Sequence, residues 1–210
     1  MQSTEERNYH IFYQLLRGAS RAMKVAFLLG NNGVEDFVYT KSGNKSIAGV
    51  NDVDEFRTLL DAFEVMGLSD DDQFDILRVV AAVLHIGNLE VAPERRGDEA
   101  RLLDKSQAER LCHVLGIPLE PFIKGLLRPR VKAGKEWVNQ SRTADQVRHS
   151  LDALAKGIYE RGFGKLVALV NERLESKGGI GGNGREAESF IGVLDIAGFE
   201  IFEVSQFTKL

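Results

Sequence analysis

Apolar positions along this chain recur mostly at intervals of three and four, and glycines interrupt them at regular stops. That rhythm predicts a mainly α fold with few strands. Tyr9, Phe12, Tyr13 and Leu16 follow the i, i+3, i+4, i+7 spacing. Ser3 and Glu6 stand ahead of them like a capping box, so a helix is expected from Ser3 to a stop at Gly18. "SRAMKVAFLLG" predicts a second short helix closed by Gly30. The following segment, to Gly49, has little helical period and predicts at most a short strand over residues 37–40. A third helix opens at Asn51 or Asp52, with Phe56, Leu59, Leu60 and Phe63 on one face and Gly67 as its stop. Ser69 then opens the strongest pattern of the first half. Asp70, Asp71 and Asp72 favour its positive end, Phe74, Leu77, Ala81 and Leu84 share a face, and Gly87 follows.

The second half is punctuated in the same way. "EVAPERRGDEARLLD" reads as a charged surface connection, and Ser106 with Glu109 repeats the capping-box spacing before Leu111, Val114 and Leu115. Pro118 suits the first turn of another helix carrying Phe122, Ile123, Leu126 and Leu127. In "RPRVKAGKEWVNQ", Val131, Ala133, Trp137 and Val138 flank Gly134, which predicts a hairpin or an ordered loop. A long helix is expected over residues 143–176, with a phase slip and a bend near Gly162 and Gly164, and "KGGIGGNGREAE" reads as a flexible linker. The last element, "FIGVLDI", is apolar on both faces like a parallel strand covered on two sides. Its backbone groups need partners that this chain scarcely offers, so the sequence is expected to be part of a larger α/β domain.

Composition narrows the functional classes. A charged fraction of 28% beside 43% hydrophobic residues suits a globular domain, and a net charge of -4 argues against general nucleic-acid binding. A single cysteine, Cys112, excludes an internal disulfide and makes a reducing compartment the simplest expectation. No apolar run reaches the roughly 20 residues of a membrane span, and the N-terminus has no secretory h-region, so a cytoplasmic protein without a membrane partner is expected.

Two stretches carry candidate chemistry. Asp195, Ile196, Ala197 and Gly198 form a D-x-x-G at the end of the last strand. The pattern is compatible with a plain turn or with a phosphate sensor, in which Asp195 holds a water on Mg²⁺ and Gly198 lets a backbone N–H approach a phosphate. No G-x-x-x-x-G-K-[ST] accompanies it, and "GIGGNG" is followed by Arg185 and Glu186, which cannot serve a nucleotide loop. Arg128, Arg130, Lys132 and Lys135 cluster around the predicted hairpin with Trp137. They are either a solvated face or a docking site. His10, His85, His113 and His149 show no metal-ligand spacing with Cys112 or with one another.

The motifs "ERNYHIFYQLL", "AAVLHIGNL", "RPRVKAGKEWV", "ALAKGIYERGF" and "VLDIAGFEIFE" occur in this order, and the chain resembles the motor domain of a myosin heavy chain. The resemblance is to a conventional class II myosin with a fungal cast and covers essentially the whole chain. It implies a segment of an α/β P-loop NTPase-type motor domain, the upper 50-kDa region. "DIAGFE" is similar to switch II, and residues 190–203 hold its strand and the start of the relay helix. Ser205, Gln206, Thr208 and Lys209 differ from the usual wording there, while Phe207 and Leu210 agree.

By this resemblance Asp195 would hold a Mg²⁺-bound water, Gly198 would sense the γ-phosphate, and Phe199 would move with the switch. Glu200 would pair with a switch I arginine and position the attacking water. Residues 128–143 would form an actin-facing loop through Arg128, Arg130, Lys132 and Lys135. Glu136 would stand where some myosins carry a phosphorylated Ser or Thr. The family is an actin-activated Mg-ATPase of the cytoskeleton whose parent proteins carry a coiled coil, so F-actin and the remainder of the head are the expected partners. ATP and Mg²⁺ would be the cofactors of the complete motor. The P-loop and switch I are expected upstream, so this chain alone is expected neither to bind ATP tightly nor to hydrolyse it.

Overall fold

A computed structural model describes residues 6–174 and Gly192, and nearly all of these lie in the first of the chain's two units, Met1–Leu174. Seven helices and two hairpins follow one another among them: α1 (His10–Gly18), α2 (Arg21–Ala26), α3 (Asp52–Val65), α4 (Asp70–Gly87), β1 (Val91–Pro93), β2 (Ala100–Leu102), α5 (Lys105–Leu115), α6 (Leu119–Leu127), β3 (Arg130–Ala133), β4 (Glu136–Asn139) and α7 (Ala144–Leu174).

The core forms around α4, which packs against α1, α5 and α7, while α1 packs on α3. Three successive apolar residues on α4, Ala81, Ala82 and Val83, are buried together with Leu77, Leu84 and Ile86, so neighbours cover the C-terminal half of this helix on all sides. Ser69 opens it as expected, and the structure adds a reciprocal cap: the Asp72 amide donates to Ser69 Oγ at 3.2 Å, and the Ser69 amide donates to the Asp72 carboxylate at 3.3 Å. Ser20 and Asn51 cap α2 and α3 in the same manner, by accepting from Met23 N and Val53 N.

Several expectations change. The first helix begins at His10 behind an uncapped Tyr9, not at Ser3, which lies outside the described residues. Gly18 is no left-handed stop but the last helical residue. A Cβ there would lie 2.6 Å from Phe56 Cβ, so the glycine permits α1 and α3 to touch. Gly87 is likewise helical and faces the Tyr39 ring. Residues 37–40 form turns rather than a strand. Phe37 and Thr40 are buried there, and the Thr40 hydroxyl donates to Val34 O at 2.7 Å. The charged connection after α4 is in fact the antiparallel hairpin β1–β2, with Val91 opposite Leu102. Helix α5 starts two residues before the predicted box, because Asp104 accepts from Ser106 N at 2.8 Å. The long helix α7 is continuous through Gly162, where a Cβ would meet Val79. Its first half buries Val147, Leu151 and Ala155, whereas Phe163, Val167 and Leu174 further along are exposed.

Candidate functional site

Residues 130–139 form the predicted hairpin. Arg130 pairs with Asn139, Val131 with Val138, Lys132 with Trp137 and Ala133 with Glu136. Two residues join the strands, and Gly134 at the first of them has φ +64°, whereas Lys135 is not left-handed, the pattern of a type II′ turn. Directly opposed residues of an antiparallel pair share a face. Arg130, Lys132, Trp137 and Asn139 therefore occupy one side, and Val131, Ala133, Glu136 and Val138 the other. The Arg130 guanidinium lies 5.6 Å from the Trp137 ring centre, a cation–π arrangement that holds both side chains on the cationic face. Trp137 is 59% exposed, although large apolar side chains are ordinarily covered. The hairpin makes no extensive contact with any other described element.

Sequence and structure agree that Arg130, Lys132, Lys135 and Glu136 are together and exposed. Arg128 differs, because its Nη2 donates to Glu99 Oε2 at 2.8 Å on the other hairpin. The Ser141 hydroxyl bonds the same carboxylate and, with Arg128, holds it below the usual carboxylate range. Glu99 was missed because it sits in a charged run without periodicity and its partner is 29 positions away. Asp195, Ile196, Ala197, Gly198, Phe199 and Glu200 lie outside the described residues.

A groove of about 520 Å³ lies between the start of α1 and α7, floored by Tyr9, Phe12, Tyr159 and Phe163 and bordered by Tyr39 and Asp152. Tyr9 and Tyr159 stack with ring centres 4.5 Å apart. Burial, and then the neighbouring Asp152 carboxylate, pushes the Tyr39 hydroxyl up to about 12, so it remains a donor. His85 is buried with Nε2 2.8 Å from Phe27 O. Since a carbonyl can only accept, the ring donates from Nε2 and serves packing rather than metal binding. No group of three His, Cys, Asp or Glu side chains could hold a metal among the described residues, and none of their helices is long and apolar enough to cross a membrane.

Comparison with known proteins gives two kinds of match. The family model "Myosin head (motor domain)" matches residues 1–210. "Myosin type-2 heavy chain 1" of Schizosaccharomyces pombe is 48% identical over 210 residues, covering 100% of this chain and 13% of that protein. "Myosin type-2 heavy chain 2" of the same organism is 43% identical over 208 residues, 99% of this chain and 10% of that protein. The chain thus spans about an eighth to a tenth of the length of these relatives.

Proposed function

This chain belongs to the myosin head (motor domain) family, and on that premise we propose that it is the upper 50-kDa part of an actin-based, ATP-driven cytoskeletal motor. The β3–β4 hairpin supports this reading most directly. It is a projecting, cationic and aromatic surface on a chain of net charge -4, and no described element covers it. A face of Arg130 and Lys132 beside Trp137, with Lys135 in the turn at its tip, suits an acidic protein face, because opposed charge steers the encounter and the ring supplies contact area. F-actin is the partner that family membership implies, with residues 128–143 as the facing loop and Glu136 a fixed negative charge on its rim.

Nucleotide sensing falls to residues 190–203. In this reading Asp195 holds a Mg²⁺-bound water, the backbone of residues 195–199 follows the γ-phosphate through Gly198, and Glu200 positions the attacking water. ATP with Mg²⁺ supplies the phosphoryl chemistry of the complete head. The support here is the "DIAGFE" wording within a family match that spans the whole chain.

Cosedimentation of the complete head with F-actin tests the first part. Lys132→Glu with Lys135→Glu is expected to lower affinity at least tenfold at low salt and by less at high salt, since exposed charges are screened. Unchanged affinity at low salt would refute the hairpin's role. Gly198→Ala is expected to depress ATP turnover of the head more than tenfold, and turnover at the parental rate would refute the sensor.

A further inference from the structure

The β3–β4 hairpin needs something to aim it, because its strands make no extensive contact with the helices. Its root supplies the connection. The Gln140 amide donates to Pro129 O at 2.9 Å and the Arg142 amide to Leu127 O at 3.1 Å, which extends the ladder below the strands. The next rung changes partner: the Ala100 amide donates to Arg142 O at 2.8 Å, and Glu99 pairs with Thr143 in an antiparallel bridge. The two hairpins therefore share one hydrogen-bonded root between the end of α6 and the start of α7. Arg128, the first residue past α6, reaches the Glu99 carboxylate across that root.

We propose that Arg128 is a positioning residue, a strut between the hairpins, rather than one of the groups that touch the partner. By engaging Glu99 while Ser141 bonds the same carboxylate, it fixes β3–β4 to β1–β2, so that Arg130, Lys132 and Lys135 are presented to an acidic protein surface from a rigid base. The partner's identity rests on the preceding reading of the hairpin as an F-actin contact. The strut itself does not.

The test uses the complete head with R128E, E99R and the exchanged pair R128E/E99R, which leaves net charge unaltered. Amide exchange is followed at Ala100, Gln140 and Arg142, alongside F-actin affinity. Exposed ion pairs are weak, so each single variant is expected to speed exchange about two- to fivefold through local opening, and the exchanged pair to return it towards the parental rate. E99Q, which keeps an acceptor for Ser141, should raise exchange about twofold. Affinity should follow the same order. Parental exchange rates in the single variants would overturn the strut. So would an exchanged pair whose exchange recovers while its affinity stays as low as that of R128E, because Arg128 would then be touching the filament. If exchange behaves as expected but neither these variants nor the Lys132 and Lys135 reversals alter F-actin affinity, the strut stands and the actin reading fails.

Discussion

Replacing Asp52 with Asn is expected to loosen the contact between α1 and α3 by about 2–4 kcal/mol. Asp52 opens α3 with its carboxylate almost fully buried. It accepts from Arg7 Nη1 and Nη2 at 3.1 and 3.0 Å and from Arg17 Nη1 at 2.6 Å. The Arg7 side chain is 3% exposed, stacks its guanidinium 4.7 Å from the Tyr13 ring centre, and has an Nε without a partner. Arg17 is 34% exposed and can turn to water, so the cost falls chiefly on Arg7. Stranding one buried charge of a pair typically costs about 3–5 kcal/mol, and an amide oxygen that still accepts one bond recovers part of it.

The assay is amide exchange of the parent polypeptide on peptides covering α1 and α3. At about 1.4 kcal/mol per decade, the loss corresponds to roughly a 30- to 700-fold faster exchange. The control is Arg7→Met in the same background: removing the stranded cation should return much of the protection, because an apolar side chain fills the site without a charge to bury. An Asp52→Asn effect below fivefold would refute the reasoning, as would an Arg7→Met addition that makes exchange faster still.

Two further outcomes can be read with similar measurements. Gly18→Ala should destabilise α1 and α3 by about 1–3 kcal/mol, because the new Cβ meets Phe56 at 2.6 Å, whereas Gly125→Ala, with nothing within 4 Å, should stabilise α6 by about 0.5–1 kcal/mol; the two signs, read from exchange or thermal midpoints, must oppose. Burial lowers the pKa of His85 below its ordinary value near 6.5 despite the bond to Phe27 O, so the unfolded chain binds the extra proton. Stability from this group is complete above that value and declines as pH falls through the lowered pKa. Thermal midpoints of the parent protein should drop through this window, and His85→Gln should flatten the profile there.

The sequence by itself determined what is decided within a turn of chain. Ser20, Asn51 and Ser69 cap the helices they precede, because a side-chain oxygen and the amides two or three residues on need no other part of the molecule. Gly67 and Gly134 take positive φ where the pattern calls for a stop and a hairpin turn, for the same local reason. The motif wording likewise carried the family, whose model matches the whole chain.

Tertiary structure decided whatever depends on groups far apart in sequence. Gly18, Gly87 and Gly162 read as stops or a bend, yet each lies within a helix whose close approach to Phe56, Tyr39 or Val79 excludes a side chain. The strands β1 and β2 are three residues each, too short for a period, and exist because they pair with one another. Asp52 finds Arg7 at a separation of 45, and Glu99 finds Arg128 at 29. Pairwise charge and contact depend on distance in space, and along the chain alone neither pair has a signature.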